Sequence, residues 1–178
     1  MGFDVRRALR GAAAGAVAGV IWAAQQDVDK RVFGVDYDDT ELLGKFVTRG
    51  DAWRPIGIAM HVANGAAFGA VYATVAPRMA GPGWAKGAAA GLAEHFASWP
   101  LVGLVDDFHP ARTEMADLQA NRAAFAQATW RHLLFGVVLG ELEERFNGPD
   151  RRSGAADFPP ASSNGHGDIS RAATHITD

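Results

Sequence analysis

The stretch 86–107, KGAAAGLAEHFASWPLVGLVDD, constrains the fold most, because it is apolar and rich in small residues along most of its length. An acid and an imidazole, Glu94 and His95, interrupt it side by side. In water each glycine inside a helix costs about 1 kcal/mol, whereas helices in a bilayer use glycine for close packing. The stretch therefore predicts a membrane-spanning helix that directs a few polar groups toward its neighbours.

Three more apolar stretches accompany this one, and together they predict four transmembrane helices, since about 20 apolar residues cross a bilayer. The predicted spans cover residues 11–24 (with an extension to 26), 55–76, 87–105 and 123–142. Pro100 lies inside the third span and should kink or split it. We therefore predict an all-α, four-helix transmembrane bundle in residues 1–146. The remaining residues, 147–178, are rich in Gly, Ser, Pro, Asn and Asp, which predicts a disordered cytoplasmic tail.

The composition excludes several classes of protein. The chain of 178 residues carries a formal net charge of −3, which gives no general patch for nucleic acid. It has no cysteine, so disulfides, thiolate metal sites and thiol nucleophiles are excluded. Phosphate-loop, serine-elbow and dinucleotide-binding motifs are absent as well. We predict that the protein is not an enzyme, carries no cofactor, and has the lipid bilayer as its partner.

The first long loop, 27–54, has a mixed charge with an acidic excess. Within it we predict a short helix at the membrane interface, ELLGKFV, capped by Asp39 or Thr40. The spacing of the acids Asp36, Asp38 and Asp39 matches no calcium loop. We interpret them as a solvated turn.

Two other parts of the chain give local predictions. The first apolar run follows three arginines and has small residues near Ala23, so a signal peptide is an alternative to a first span. In the second long loop, 106–122, helical spacing predicts a helix that begins at Pro110 and runs into the fourth span. A soluble helical protein is the alternative to the whole membrane interpretation.

The chain contains two similar halves. Arg10-Gly-Ala-Ala-Ala-Gly15 matches Lys86-Gly-Ala-Ala-Ala-Gly91, and His61-x3-Gly65-x3-Gly69 matches His132-x3-Gly136-x3-Gly140. The two matches have similar offsets, which predicts an internal repeat of one helix pair. Basic residues precede the first and third predicted spans, and both long loops are acidic. The positive-inside rule then places both termini in the cytoplasm.

Ionisable residues at membrane depth usually face the interior of a bundle. Glu94, His61 and His132 each lie on a stripe with small residues, which is where neighbouring helices approach most closely. At a rise of about 1.5 Å per residue, their levels overlap within the length of a side chain. We therefore predict that they converge. The candidate binding or proton-handling residues are the polar side chains of this region: His61, Asn64, Glu94, His95, Arg131 and His132.

Three roles are open for this group. The first is structural, with Glu94 paired to a histidine or to Arg131, so that the network fixes the register of the helices. The second is a transport module for protons, ions or small solutes, because histidine takes up and releases protons near neutral pH. The third is a metal or haem site, although the sequence has neither an HExxH nor a paired ExxH motif.

Three motifs carry a resemblance to a known family: the Lys86-Gly-x-x-Ala-Gly91 helix, the kink at Ser98-Trp99-Pro100-Leu101-Val102-Gly103-Leu104, and His132-Leu133 followed by Glu141. In addition, the His61 helix looks like that family's second span. On these motifs, residues 8–146 resemble the YagU-type family of small bacterial inner-membrane proteins, a domain of unknown function. The resemblance implies a multi-pass location in the bacterial inner membrane and an envelope or acid-stress role, with no catalytic residues to carry over. The small-residue faces would also allow a homodimer.

Overall fold

The computed structural model describes residues 4–148, and over this range the chain is helical and has no strand. The predicted all-α class is therefore confirmed. The α-helices are α1 (Val5–Phe33), α2 (Asp39–Val47), α3 (Trp53–Val75), α4 (Gly83–Ser98), α5 (Val102–Phe108) and α6 (Arg122–Asn147). Single turns of 3₁₀ helix lie at Ala76–Arg78, Trp99–Leu101 and Arg112–Glu114. From residue 149 onward the predicted disordered tail lies outside the described range.

Helix α1 is longer than the first predicted span. The Asp4 side chain caps its N-terminus by accepting a backbone hydrogen bond. Its C-terminus is closed by Gly34, whose φ of 68° is a left-handed conformation that suits glycine. Residues 27–33, which we expected in a loop, are thus helical. The apolar pattern stops earlier than the helix does, because the polar side chains of Gln26 and Asp29 are buried in the final turns.

The proline in the third predicted span splits that span, as predicted. Helix α4 ends at Ser98, one 3₁₀ turn carries Pro100, and α5 begins at Val102. Proline has no N–H to donate and its ring clashes with the preceding turn, so a regular α-helix cannot continue through it.

The prediction of a helix that begins at Pro110 is wrong. Residues 109–121 are irregular apart from one 3₁₀ turn, and α6 begins at Arg122. The Asp106 carboxylate accepts hydrogen bonds from the backbone N–H groups of Leu118 and the residue after it, at 2.6–3.1 Å. Those groups are therefore unavailable to a helical ladder, and the loop is fixed against the end of α5.

Helix α2 forms where predicted, but its cap differs from the prediction. The Asp38 carboxylate, and not Asp39 or Thr40, accepts from the backbone N–H groups of Thr40 and Glu41, at 2.8 and 3.1 Å. Lys30 lies 2.9 Å from the second oxygen of Asp38. Asp38 is thus not part of a solvated turn, because it caps the N-terminus of a helix.

Replacing Asp38 with alanine should destabilise the protein by about 1 kcal/mol, the usual contribution of an N-cap. Burial alone would raise the pKa of Asp38, but hydrogen bonds from Lys30, Thr40 and Glu41 hold that pKa below its ordinary value. A lowered carboxyl pKa contributes stability that is present above the unfolded-state pKa and is lost as the pH falls through the folded-state pKa.

Thermal unfolding of the wild type and Asp38→Ala, measured from about pH 3 to pH 7, tests this prediction. The difference in stability should be largest near neutral pH and should shrink in acid. The exposed Asp36, on the same loop, supplies the matched control Asp36→Ala. A difference that grows toward acid would contradict the assignment.

Glycines set how the long helices pack. Helix α1 packs against α3 and α6, and α6 packs against α4. The stripe of Gly11 and Gly15 on α1 is so close to α3 that an added Cβ would collide with the backbone. The α4–α6 contact has the same character. Helix α3, in contrast, has very few contacts with α6, and α3 and α4 stay apart. The four long helices therefore form an open arc in the order α3, α1, α6, α4.

Small side chains fill the interior of this arc and large ones cover its outside. Most buried apolar residues are alanines, with Trp22, Tyr72, Leu118, Phe135 and Leu139 as the larger ones. Exposed large apolar residues occur on every long helix, and they include the following: Leu9, Val17, Val20, Ile21, Ile58, Val71, Val75, Trp84, Phe96 and Trp130. A protein folded in water usually has the opposite arrangement.

By length and composition, one described segment is long and apolar enough to cross a membrane, namely Trp53–Arg78. A single such helix is weak evidence, since a core helix of a soluble protein has the same properties. Helix α1 loses its apolar character at Gln25, and α4 has only 16 residues before the proline turn. The other three predicted spans therefore stay a prediction.

Candidate functional site

A cavity of about 360 Å³ lies inside the arc, between α3 and α4, with α2 beside it. Aromatic, aliphatic, acidic and imidazole side chains all contribute to its wall. Its lining residues are Trp22, Tyr37, Asp39, Leu42, Leu43, His61, Asn64, Gly65, Phe68, Gly91, Glu94, His132 and Phe135. The exposed Asn64 on α3 and the Glu94 side chain on α4, which is 41% exposed, lie where the arc is open.

Glu94 and His132 form an ion pair on the cavity wall. The Oε2 atom of Glu94 lies 2.7 Å from Nε2 of His132. The other ring nitrogen of His132, Nδ1, lies 2.7 Å from the carbonyl oxygen of Ala128. Both neighbours are acceptors, so both ring nitrogens donate and the ring is an imidazolium. The glycine opposite, Gly91, brings α4 close enough for this contact.

His61 lies in the same cavity but does not meet the pair. Its ring packs edge-on against Trp22 at 4.9 Å, and the Trp22 ring packs against His132 at 4.7 Å on another side. The indole thus separates the two imidazoles. His61 is 9% exposed, and its Nε2 atom has no hydrogen-bond partner among residues 4–148.

Arg131 does not contact Glu94, so that one of the pairings left open for Glu94 does not form. The guanidinium of Arg131 is fully buried and makes two hydrogen bonds to Asp29, at 2.6 and 2.7 Å. It makes a third to Asp39 at 2.7 Å and a fourth to the carbonyl oxygen of Tyr37 at 2.9 Å. One cation therefore joins α6, the end of α1 and the start of α2.

The second acid of the predicted solvated turn is also part of this network. Asp39 accepts from the Tyr37 hydroxyl at 2.6 Å and from the Trp22 indole at 3.2 Å, in addition to Arg131. Only Asp36, whose side chain is 84% exposed, fits the predicted turn. Because two of the three acids take part in buried contacts, the solvated-turn interpretation is wrong for them.

His95 is buried on the far side of His132 and is not among the residues that line the cavity. Its Nε2 atom lies 2.9 Å from the hydroxyl oxygen of Thr129, and that hydroxyl donates to the carbonyl oxygen of Phe125. The Thr129 hydroxyl thus links the His95 ring to the backbone of α6. This places His95 in the packing between α4 and α6.

Sequence reasoning missed Asp29, Tyr37, Asp39 and Trp22 as parts of the site. Asp29 and Asp39 lie outside the predicted spans, so their sequence positions indicated no place inside the bundle. A usable signal was present, because a fully buried Arg131 in an apolar span requires at least one carboxylate from elsewhere in the chain. The acidic loop was the obvious source.

Within residues 4–148, no group of three or more His, Asp or Glu side chains is placed to hold a metal ion. The metal alternative thus has no ligand set in that part of the chain.

Comparison with protein-family models, with curated proteins and with solved structures finds no match to this chain. The resemblance to the YagU-type family stays a prediction.

Proposed function

We propose that the chain is a small multi-pass integral membrane protein whose central cavity binds a small solute. The observation that carries the proposal is the cavity itself, which holds ionisable side chains inside an arc of helices with large apolar residues on its outer surface. This is the transport alternative of the sequence analysis, restricted to the step of binding.

The distribution of side chains supports lipid as the solvent. Exposed Val, Leu, Ile and Phe side chains on the outer surface gain nothing from water but pack well against lipid tails. The helices approach each other through glycine and alanine, which is typical of helix packing in membranes. In the interior Arg131 pairs with Asp29 and His132 pairs with Glu94, as expected of groups at membrane depth.

The glycine contacts support an internal repeat. In the α1–α3 pair, two glycines of one helix contact two glycines of the other, and the α4–α6 pair has the same arrangement at the equivalent positions of the repeat. The corresponding contacts are Gly11 with Gly69, Gly15 with Gly65, Gly87 with Gly140, and Gly91 with Gly136. Two copies of one helix pair explain these matches with a single duplication. We propose the four-span topology on this basis, with both termini in the cytoplasm.

The resemblance to YagU-type proteins adds a location to this proposal: the bacterial inner membrane. It also adds the envelope or acid-stress role, which stays a prediction. Helices α3 and α4 each carry a face of exposed alanines, which would allow a homodimer: Ala59, Ala63 and Ala67 on α3, and Ala89, Ala93 and Ala97 on α4.

A purely structural polar network explains the cavity less well. A network that only fixes the register of helices should leave little empty space and no orphaned polar atoms. Here about 360 Å³ of space lies beside the ion pair of Glu94 and His132, and the enclosed Nε2 of His61 is unpartnered within the described residues. A volume of this size is at the small end of ligand pockets.

Single-cysteine labelling tests the proposal cleanly, because the natural chain has no cysteine. Asn64→Cys places a thiol at the opening of the cavity, Ala52→Cys places one on an exposed loop, and Val17→Cys places one on the outer apolar face. Each variant is reconstituted in liposomes and exposed to a charged, water-soluble methanethiosulfonate reagent. Because the charged reagent stays in water, Asn64→Cys should react at a rate within about tenfold of the rate of Ala52→Cys. Val17→Cys should react far more slowly, because lipid covers its thiol.

Two outcomes would contradict the proposal, and they differ. If Asn64→Cys is as unreactive as Val17→Cys, water does not reach the cavity and solute binding is excluded. If Val17→Cys reacts as fast as Ala52→Cys, the outer face is in water and the membrane assignment fails.

A further inference from the structure

The buried charges around the cavity do not balance. Three carboxylates, Asp29, Asp39 and Glu94, face two cations, Arg131 and the imidazolium of His132. The lysines near α2 add no spare cation to this region, because Lys30 is shared by Asp36 and Asp38, and Lys45 is shared by Glu41 and Glu114. One negative charge is therefore left without a cation in a poorly solvated region, where an unmatched charge is costly.

The excess charge lies on the cavity wall. Arg131 binds Asp29 through two parallel hydrogen bonds, the strongest arrangement for this pair, and gives Asp39 only one. The other donors to Asp39 are the neutral groups of Tyr37 and Trp22. Asp39 lines the cavity and Asp29 does not, so the carboxylate without a full counter-charge faces the empty space.

The remaining wall fits the counter-ion that this charge requires. The side chain of His61 lines the cavity, while its Nε2 atom is enclosed in the wall and has no partner among the described residues. The rings of Trp22 and Phe68 supply aromatic surface, which attracts organic cations as well as apolar groups. A second carboxylate, Glu94, stands at the opening.

We propose that the solute of this cavity is a small organic cation, an amine or quaternary ammonium compound, with Asp39 as its counter-charge and Glu94 at its entrance. The inference rests on the proposed function, since it names the class of solute for that same site. An anion would meet an excess of negative charge in a region of low dielectric, and the site would select against it.

The test compares two thiol reagents of similar size and opposite charge on Asn64→Cys in the full-length protein. One carries a trimethylammonium group and the other a sulfonate group. The ratio of their rates is divided by the same ratio at the exposed Ala52→Cys. We expect the cationic reagent to be favoured at Asn64→Cys by at least about tenfold, which corresponds to about 1.4 kcal/mol.

The preference should depend on the carboxylates of the cavity. Adding Glu94→Gln to Asn64→Cys should reduce the preference several-fold, because this change keeps the shape of the side chain and removes its charge. Glu141→Gln, which changes an exposed acid paired with Arg145 elsewhere on α6, is the matched control and should leave the ratio unchanged.

The outcomes separate this inference from the proposed function. Reaction with both reagents at a normalised ratio near one, or a preference that survives Glu94→Gln unchanged, would overturn the cation assignment and leave an accessible cavity. Failure of both reagents to react would overturn the inference together with the proposed function.

Discussion

Replacing Arg131 with methionine should lower the Tm of the purified protein by about 10 °C or more. The change leaves Asp29, which is 2% exposed, without its cation and removes one of three hydrogen-bond donors to Asp39. Removing one partner of a buried ion pair costs roughly 3–5 kcal/mol, and each kcal/mol lowers the Tm of a chain of this size by a few degrees. The large effect comes from the stranded carboxylates, since methionine fills a similar space.

Two further variants test this reason. Arg145→Met, on the same helix, removes a guanidinium whose partner is the solvent-facing Glu141, and the Tm should change little. Adding Asp29→Asn to Arg131→Met should recover part of the lost stability, because the amide carries no charge to strand. If both arginine variants lowered the Tm equally, the buried network would not be the source of the effect.

Two glycine variants one turn apart on α1 should have opposite effects. At Gly15 an added Cβ would collide with the carbonyl group of Gly65, so α1 and α3 must separate to accept Gly15→Ala. At Gly19 the nearest atoms to an added Cβ are 3.5 and 3.6 Å away, which is ordinary contact. We expect Gly15→Ala to destabilise the protein by about 1–3 kcal/mol or more, which is the usual cost of overpacking.

The partner variant, Gly19→Ala, should be neutral or should raise the Tm, because alanine is the better helix former by up to about 1 kcal/mol. Both Tm values should be measured under identical solution conditions, so that they differ only by the substitution. Equal losses in the two variants would mean that helix packing here does not depend on the closeness of approach at Gly15.

The sequence was sufficient to predict that Glu94 and His132 point toward neighbouring helices, with His132 as one of three possible partners of Glu94. Both residues lie on glycine stripes, and stripes of this kind face each other in α4 and α6. It was not sufficient to predict that His61 stays apart. The Trp22 ring lies between the two imidazoles, and its position depends on the rotation of α1, which no spacing rule fixes.

The partners of Arg131 were harder to predict, for a physical reason. Hydropathy marks where a helix is apolar, and α1 stops being apolar before it stops being helical. Its last turns present Asp29 to the guanidinium, and a charged residue is acceptable there because a buried counter-charge is present. Local composition therefore placed this acid in a loop, whereas the tertiary contact keeps it in a helix.

The irregular loop before α6 shows a similar limit. The residues after Pro110 have helical spacing, but Asp106 binds the backbone N–H groups that a helix would use. A side chain from the preceding element thus competes with the local preference, and this competition appears only in three dimensions.

The open arc has a mechanical consequence. The two glycine-packed pairs meet where α1 packs against α6, and α2 adds a second connection, because Leu42 and Lys45 contact His109 and Glu114 in the loop after α5. The two halves are thus tied at two places, so the opening between α3 and α4 cannot widen unless these contacts shift together. Arg131 on α6 binds Asp29 on α1 and Asp39 on α2 across the contact between the halves. These ion pairs therefore help to set the angle between the halves and, with it, the width of the cavity opening.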